Sequence, residues 1–425
     1  MSQRPISEIA DINPPLAKIP KATALVSFVT MSDVSESGGI RSSISVPFGQ
    51  VSNGFTRFQD DDTLFAKITP CMENGKGALA NNLVGSVGCG STEFHVLRPK
   101  SGHNANYLYQ LMQWQSTRQS AELFMSGSAG QQRVQSTFFH KHRVFAPTTT
   151  SQSRIATILS TIDTAIEQTE ALIEKYQHIK AGLMHDLFTR GVLPTGQLRP
   201  PREQAPELYQ ETAIGWIPRE WVLATFESLL APVPNNIRSG PFGSALLKHE
   251  LVESGIPFLG IDNIHVEFFN DEFRRFVSAK KFNELAKYAV RQKDVVITIM
   301  GTVGRSCVIP DTVNVALSSK HLWTMTFDQE KVFPRLICWQ LNYSAWVKSW
   351  FRRATQGGIM DAIQSSTLKR LVLPVPHFDE QQRIDERYGL LSARLEQEEQ
   401  KLQKLKLQKL GLMQDLLTGK VSVQQ

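Results

Sequence analysis

The feature that most constrains the fold is a segment that occurs twice. Residues 152–192 align without a gap on residues 381–421, at an offset of 229 positions. Of the 41 paired positions, 15 are identical, whereas average residue frequencies would give about two or three matches. A repeat of this length predicts two copies of one supersecondary unit, so the chain is interpreted as two related halves.

Each copy predicts one long helix with a single apolar seam. Apolar side chains recur at alternating steps of four and three residues, the spacing that turns one stripe of a helix towards a partner helix. Two seams of equal length in one chain favour an intramolecular antiparallel pair, because closing a loop costs less than recruiting a second chain. Such a pair would relate the halves by a pseudo-two-fold axis. The expected helix-pairing residues are Ile155, Leu159, Ile162, Ile166, Ile173, Tyr176, Leu183, Leu187, Ile384, Tyr388, Leu391, Leu395, Leu402, Leu405, Leu412 and Leu416.

Two positions of the seam are polar in both copies. They hold Thr169 and Glu398 at one heptad position, and Lys180 and Lys409 at another. The seam continues on both sides of them, so the helix prediction is kept across these positions.

The remaining sequence predicts two globular α/β modules, which together with the helices give an α+β fold. Short β-type runs separated by Gly, Asn and Ser turns precede a helix in each module. A Pro- and Gly-containing stretch after the first long helix is typical of a linker. The predicted domains are a first module at 1–150, a central helical spacer at 151–193, a linker at 194–212, a second module at 213–376 and a C-terminal helical spacer at 377–425.

The two modules share an outline but few residues. In each, the helix is followed by a polar, glycine-containing loop and then by a closing strand that ends at a proline. A common scaffold with divergent surfaces suits two modules that recognise different things. The predicted elements are strands at Leu25–Val29, Leu64–Ile68, Phe94–Leu97 and Arg143–Ala146 with a helix at Tyr107–Met125, then strands at Asp294–Ile299 and Leu371–Pro374 with a helix at Phe333–Phe351.

Composition limits the class of protein. No window approaches 18 consecutive apolar residues and the first residues lack a signal-peptide pattern, so we expect an intracellular, cytoplasmic protein. The four cysteines are far apart with no CxxC pair, which favours reduced core thiols over a zinc site. The net charge is +6, a modest basic excess that contact with phosphates requires but does not prove.

Four short motifs have some similarity to catalytic, phosphate-binding or metal sites, and each favours a structural interpretation. Asp11–Leu16 is similar to the Asn-Pro-Pro-aromatic motif of adenine methyltransferases, but Leu16 replaces the aromatic residue. Gly301–Ser306 lacks the Gly-Lys-Ser/Thr ending of a phosphate loop, which favours a tight turn with an exposed arginine. Asp60–Asp62 is interpreted as a solvated turn and His140–His142 as surface. We therefore expect no catalytic site and no metal.

Several motifs resemble one known family. They are Glu380–Ile384 at the start of the second helix, the Gly-Leu-Met-x-Asp-Leu-x-Thr runs Gly182–Thr189 and Gly411–Thr418, the opener Gly215–Trp221, and Ser239–Ser244. With them the chain resembles, over essentially its full length, the specificity subunit of type I restriction–modification systems. It departs from the family pattern in two ways: Ser151-Gln152 stands in place of Glu-Gln, and the first module lacks a Trp-Pro opener.

The resemblance implies a non-catalytic reader of double-stranded DNA. Two target recognition domains would each bind one half of a split, asymmetric sequence, and the paired helices would set the unread gap between the halves. The helices would also dock two modification subunits, which methylate adenine at N6, and restriction subunits would join the complex. The chain itself would hold no cofactor, because S-adenosylmethionine, ATP and Mg²⁺ are expected on the partner subunits only. The bases recognised, the length of the gap and the presence of a restriction subunit stay open.

Candidate DNA-binding residues are chosen from loops that recur in both modules. Arg, Lys, Asn and Gln side chains make the bidentate contacts that read base edges, and Lys and Arg also bind phosphates. The candidates are Arg41, Lys67, Asn74, Lys76, Gln131, Gln132, Arg133, Arg238, Ser239, Lys248, Arg305, Lys320, Arg353 and Gln356.

Two other functions are weighed against DNA reading. A self-sufficient methyltransferase or nuclease would modify or cleave DNA as a purified chain, and the missing motifs argue against it. A coiled-coil scaffold with two protein-binding modules and no DNA role is the main alternative. Retardation of DNA with a steep dependence on salt would separate this alternative from the DNA reader.

Overall fold

The computed structural model describes residues 3–128, 130–301, 303–355 and 363–423. The chain forms two compact units, and the division runs through both long helices. The first unit contains residues 1–172 and 398–425, and the second contains residues 173–397. Each unit therefore holds a globular module together with one half of each long helix. No helix in the described part of the chain is both long and apolar enough to cross a membrane.

The first unit contains twelve strands among its described residues, mostly short, and its helices before the long one are shorter than ten residues. Its strands are β1 Gln3–Pro5, β2 Ala10–Ile12, β3 Leu25–Val29, β4 Ile44–Pro47, β5 Thr56–Gln59, β6 Thr63–Ala66, β7 Gly77–Leu79, β8 Val87–Gly90, β9 Phe94–Pro99, β10 Met125–Ser126, β11 Arg133–Val134 and β12 Arg143–Phe145. Its helices are α1 Ile6–Ile9, α2 Phe48–Val51, α3 Ala105–Gln113, α4 Gln115–Glu122, α5 Thr137–Lys141, the start of α6 Thr149–Thr189 and the end of α12 Phe378–Leu416.

The second unit contains the end of α6 and most of the remaining elements. Its strands are β13 Tyr209–Thr212, β14 Gly215–Pro218, β15 Val222–Thr225, β16 Ile237–Ser239, β17 Leu251–Val252, β18 Ile256–Leu259, β19 Phe276–Val277, β20 Ala289–Arg291, β21 Val295–Thr298, β22 Ser306–Val308, β23 Val315–Ser318, β24 Leu322–Met325 and β25 Val372–Val375. Its helices are α7 Phe226–Leu229, α8 Ala279–Glu284, α9 Pro334–Tyr343, α10 Ala345–Thr355, α11 Ser365–Lys369 and the start of α12 Phe378–Leu416.

Both modules are built on the same sheet topology. A four-stranded antiparallel sheet has the order β2-β9-β6-β7 in the first unit and β16-β24-β21-β22 in the second. A second sheet in each contains one parallel pair, β3 with β8 and β18 with β23. The central strands β6 and β21 are buried along their whole length, which explains why both were visible in the sequence as short apolar runs.

The single helix predicted in each module is in fact two helices. In the first unit Trp114 is extended (φ −65°, ψ 128°) and separates α3 from α4. In the second, Ser344 is extended (φ −61°, ψ 123°) at the equivalent place between α9 and α10. The break redirects the chain so that both helices bury apolar side chains in one core, as Leu336 of α9 and Val347 of α10 do. A continuous apolar pattern does not reveal such a turn.

The long helices pack against each other in antiparallel fashion, as the repeat predicted. In the first unit Ile155 and Leu159, near the start of α6, share a core with Leu416, at the end of α12. In the second unit Leu187, near the end of α6, shares a core with Ile384, near the start of α12. All sixteen expected helix-pairing residues are buried or half-buried. The α+β fold with two paired helices is therefore confirmed.

A buried ion pair stabilises the start of each central strand. Asp62, before β6, is fully buried and binds the Arg98 guanidinium through two hydrogen bonds of 2.7 Å. Asp294, before β21, is buried against Arg238. The interpretation of Asp60–Asp62 as a solvated turn was therefore wrong for Asp62. The interpretation of His140–His142 as surface holds for His140, which is exposed at the end of α5 and ahead of β12. His142 is half-buried, and its ring stacks on that of Phe138 with 4.9 Å between the ring centres.

Candidate nucleic-acid interface

In each unit, predicted DNA-binding residues lie at one end of the four-stranded sheet, where its strands begin or finish; we term this end the strand edge. Because the strands are antiparallel, the ends of two strands and the starts of the other two meet at the same edge. In the first unit this strand edge carries Lys67 after β6 and Lys76 before β7. In the second unit it carries Arg305 before β22 and Lys320 just before β24. Lys76 and Arg305 thus lie before equivalent strands, and Lys67 and Lys320 lie at other strands of the same end of the sheet.

In the first unit, Lys67, Gln132 and Arg133 lie together beside Glu93. The hairpin β10–β11 folds onto the strand edge, where the Thr69 amide donates to the Gln132 carbonyl oxygen at 3.0 Å. The Arg133 guanidinium donates Nε–H and Nη2–H to the Glu93 carboxylate, both at 2.9 Å. These hydrogen bonds lower the pKa of Glu93 and raise the pKa of Arg133. Part of the Arg133 charge is therefore neutralised, while Lys67, Gln131 and Gln132 stay accessible.

A second group in the first unit surrounds the turn that follows β6. The side chain of Asn74 donates to Glu36 at 3.2 Å, and the Lys76 ammonium donates to the Met31 carbonyl oxygen at 3.0 Å. The Arg41 guanidinium donates to the Ser35 hydroxyl at 3.2 Å. The backbone also joins these segments, because the Gly39 amide donates to the Gly77 carbonyl oxygen. Arg41 and Asn74 are exposed and Lys76 is half-buried.

His95 is a buried residue of this edge that the sequence reasoning missed. Its Nε2 lies 2.8 Å from the Val134 carbonyl oxygen, and its Nδ1 lies 3.1 Å from Nδ2 of the Asn13 side chain. Asn13 can only donate from that atom and the carbonyl can only accept, so the ring is a neutral Nε2–H tautomer. Burial lowers the pKa of His95, which agrees with the neutral form. The Asn13–Pro14 segment is thus held in place by a histidine, and no sequence spacing marks that contact.

In the second unit, the strand edge combines Ser239, Arg305 and Lys320. The Ser239 hydroxyl donates to the Lys320 carbonyl oxygen at 3.3 Å, and the Gly240 amide donates to the Ser319 carbonyl oxygen at 3.1 Å. Arg305 is exposed, and Gly301 and Gly304 before it have φ of +73° and +95°, in the left-handed region that favours glycine. The sequence analysis predicted this exposed arginine.

Two of the candidate residues are largely buried, and a third lies outside the described residues. Arg238 is only 8% exposed, and its guanidinium donates to Asp294, Thr326 and two backbone carbonyl groups, so its donors are used within the core. Ser239 is 7% exposed, so its side chain is a poor reader although its backbone lies at the edge. Gln356 lies outside the described residues.

The last two candidates lie on exposed surfaces of the second unit. Lys248 starts a short 3₁₀ helix and is exposed. Arg353 is exposed on α10 and lies over the Trp346 ring, 5.0 Å from its centre. Neither is joined to the strand edge in the way that Lys320 is.

The structure adds basic side chains that the sequence reasoning left out. His321 follows Lys320, and burial is the main cause that lowers its pKa, with further lowering from Lys320 and Arg275. Arg275 forms an ion pair with Asp262 near Gly260. The adjacent residues Lys320 and His321 could have predicted an exposed basic side chain here, because two neighbouring side chains at the end of a strand cannot both point into the core. Among the described residues, no three His, Cys, Asp or Glu side chains lie close enough together to hold a metal ion.

One glutamine in each repeat fixes the module to its long helix. Gln152 accepts a hydrogen bond from the Asn104 amide at the start of α3 (2.9 Å) and donates to the Pro147 carbonyl oxygen (2.8 Å). Gln381 accepts from the Phe333 amide at the start of α9 (2.9 Å) and donates to the Pro376 carbonyl oxygen (3.0 Å). Both glutamines are 1% exposed. These contacts repeat atom for atom, so the helices hold both modules in the same way.

Comparison with known proteins finds relatives of part of this chain. Residues 3–176 match the family model described as the type I restriction modification DNA specificity domain. Over this stretch, which is less than half of its length, the chain is similar to the DNA specificity domain of type I restriction–modification proteins. It is 37% identical over 167 residues to the type I restriction enzyme EcoEI specificity subunit of Escherichia coli, and 32% identical over 189 residues to the EcoAI specificity subunit of the same species. These matches cover 39% and 43% of this chain.

The matched segments span 28% and 32% of the lengths of those two relatives, about a third or less of each protein. A solved structure extends the likeness of fold to the whole chain. The type I restriction–modification S subunit from M. genitalium has a TM-score of 0.58 and 15% sequence identity. The match covers 98% of this chain and 96% of that one.

Proposed function

We propose that this chain is the DNA-recognition subunit of a type I restriction–modification complex, in which each unit reads one half of a split target. The observation that carries the proposal is the repeated architecture. Both units present cations at the same edge of the same sheet, and both hold the module on the long helices through an equivalent glutamine. The residues at the two edges differ, which is what an asymmetric target requires.

The two edges combine the side-chain types that DNA recognition uses. Lysine and arginine neutralise phosphates, while arginine, glutamine and asparagine can make paired hydrogen bonds to base edges. In the first unit Lys67, Gln132 and Arg133 supply both kinds, and in the second unit Lys320 and Arg305 do so. Arg238 is withdrawn from this set because its donors are used in the core.

The long helices are proposed to set the number of unread base pairs and to bind the modification subunits. Their antiparallel packing within each unit supports the first role. Exposed leucines on α12, Leu390 at 75% and Leu407 at 69% exposure, are available for a protein partner. The chain is proposed to be non-catalytic, with methylation and cleavage carried by the modification and restriction subunits together with S-adenosylmethionine, ATP and Mg²⁺.

A methylation map tests the proposal. DNA would be sequenced for N6-methyladenine from cells that carry the modification subunit with and without this chain. One split motif should be methylated only when the chain is present. Methylation that does not depend on the chain, or that follows no split motif, would contradict the proposal.

DNA retardation distinguishes the remaining alternative, a scaffold with two protein-binding modules. The chain with its modification partner should bind a duplex containing the mapped motif. The logarithm of the binding constant should fall with the logarithm of salt concentration by roughly 0.9 per neutralised phosphate. A scaffold would assemble with proteins but show no such binding.

A further inference from the structure

Phe242 is an aromatic side chain left in water at the strand edge of the second unit. It is 62% exposed. It follows Gly240, whose amide is bonded to the Ser319 carbonyl oxygen at 3.1 Å, by two residues. Consecutive Cα atoms are about 3.8 Å apart, so the Cα of Phe242 lies within about 7.6 Å of that of Gly240. The ring therefore emerges beside the proposed DNA-binding surface.

The backbone presents this ring on a constrained turn. A Cβ at Gly240 would lie 2.0 Å from the Ser318 carbonyl oxygen, so only glycine fits at this close approach. Pro241 is buried, and Gly243 has a φ of +60°, in the left-handed region that favours glycine. Phe242 is the N-cap of the 3₁₀ turn Gly243–Ala245. A side chain on such a turn loses little backbone freedom when it binds.

The charges around Phe242 select the kind of partner. Lys320 is exposed and joined to the same strand end through Ser239. Arg305 is exposed before β22, which lies two strands from β24 and three from β16 in the same sheet. Neighbouring strands are about 4.8 Å apart, so these cations lie on the order of 10–15 Å from one another. An apolar ring among cations matches a base step between phosphates, since DNA-binding proteins insert apolar wedges into such steps.

The equivalent position in the first unit is different. The strand end after β2 continues into Pro14 and Pro15, and the next residue, Leu16, is half-buried against the core of β3 and β8. No aromatic side chain stands there. Whatever Phe242 does is therefore confined to the half of the target read by the second unit.

We propose that Phe242 acts as a wedge, whose ring inserts between two stacked bases of the half-site bound by the second unit. The kink that results would open the groove to Arg305 and Lys320. This inference rests on the proposed function, since it requires that the second unit binds duplex DNA. It assigns part of the specificity to deformability of one base step and not to hydrogen bonds alone.

Fluorescence of 2-aminopurine tests the wedge. Duplexes containing the mapped motif would carry the probe at each position of the second half-site in turn, and the full-length chain would be used with its modification subunits. Unstacking brightens the probe, so one step should brighten on binding. With Phe242→Ala this signal should disappear and affinity should fall about tenfold. Phe242→Leu, which keeps an apolar wedge, should retain part of both.

Val222→Ala is the matched control. Val222 is also 62% exposed, but it lies at the start of β15, in a separate two-stranded sheet. The affinity and the probe signal of Val222→Ala should stay within twofold of those of the parent chain. Specific binding with no brightened step, or with a step that brightens equally in Phe242→Ala, would overturn the wedge and leave the proposed function intact. Absence of any specific binding by the parent chain would overturn both. Weaker assembly of Phe242→Ala with the modification subunits, without DNA, would show a protein contact instead.

Discussion

Replacement of Gln381 by leucine tests how firmly the long helices hold the modules. Leucine has a similar volume but no polar atoms, so the change leaves three groups without their partner. These are the Phe333 amide (2.9 Å), the Lys331 carbonyl oxygen (2.9 Å) and the Pro376 carbonyl oxygen (3.0 Å). The last bond is buried, and an unsatisfied buried group costs about 1–3 kcal/mol. The other two are partly buried and add about 0.5–1 kcal/mol each.

The expected loss is therefore about 3 kcal/mol for local opening at the start of α9. Since about 1.4 kcal/mol is a tenfold change in an equilibrium constant, amide hydrogen exchange across residues 334–343 should become roughly a hundredfold faster. Exchange measured by mass spectrometry resolves the two modules in one experiment. The helix α3, held by Gln152 in the other unit, serves as the internal reference.

The control is the neighbouring Gln382→Leu. Gln382 is exposed and bonds only to Glu386, one turn further along the same helix, at 2.9 Å. Its replacement should change exchange by less than about threefold. The reciprocal variant Gln152→Leu should accelerate α3 and spare α9. If Gln381→Leu and Gln382→Leu behaved alike, or if Gln381→Leu accelerated both helices equally, the glutamine would not be the anchor that its contacts indicate.

Three further outcomes are expected. Glu380 is buried with Arg199 and also accepts hydrogen bonds from the Val192 amide (2.8 Å) and the Trp221 ring (3.1 Å), so Glu380→Gln should destabilise the second unit by about 3–5 kcal/mol. Tryptophan fluorescence in a denaturant titration measures this change, because six of the seven tryptophans lie in that unit; a loss of unfolding free energy below about 1 kcal/mol would contradict the prediction. Burial lowers the pKa of His95 in the folded chain, so the unfolded chain binds a proton at a higher pH than the folded chain does. The first unit should therefore lose stability as pH falls through about 6.5, with little change above it. Equal amide exchange rates in β9 at pH 5.5 and 7.5, after correction for intrinsic rates, would contradict this prediction. Arg133→Ala should weaken binding to the half-site of the first unit by roughly tenfold and leave binding to the other half-site unchanged. Equal affinity of Arg133→Ala and the parent chain for duplexes that vary in the first half-site would remove Arg133 from the interface.

The sequence predicted the parts of the fold that depend on periodicity. The seam of the two helices follows from spacing alone, and all of its residues are buried or half-buried. The strand at Leu25–Val29 was located with its observed bounds, because five consecutive β-type residues between turns leave little choice. The breaks at Trp114 and Ser344 were missed, since an extended residue inside a helical pattern is set by tertiary packing and leaves no trace in apolar spacing.

The candidate site was only partly accessible to sequence reasoning, and the reason is burial. Arg238 and Lys320 both follow strand-like or polar runs and are equally good candidates by residue type. The structure separates them, because Arg238 is neutralised by Asp294, 56 residues further along the chain, while Lys320 stays exposed. Whether an arginine has a buried acidic partner depends on contacts between distant strands, and a single sequence does not state those contacts.

The lysine that is repeated in the seam, as Lys180 and Lys409, also has acidic partners that the sequence does not reveal. Lys409 is half-buried and is neutralised by Asp163 of the facing helix, with 2.6 Å between Nζ and Oδ1. At the equivalent place in the other unit, Ser392 stands where the repeat would put the counterpart of Asp163. The charge of Lys180 is neutralised instead by Glu267, at 2.8 Å, from a loop of the second module. Glu267 also accepts from the Tyr388 hydroxyl at 2.6 Å, and it has a φ of +61°, a conformation that costs about 1 kcal/mol for a residue other than glycine.

A half-buried ammonium needs a carboxylate wherever it stands, because desolvation of an unpaired charge is expensive. The repeat preserved the lysine, and each unit satisfied it with a different acid. The loop that supplies Glu267 also bonds to the strand edge, since the Glu267 amide donates to the Ser306 carbonyl oxygen, next to Arg305. In the second unit, therefore, Glu267 joins the long helices to the strand edge, whereas in the first unit the equivalent lysine joins one long helix to the other.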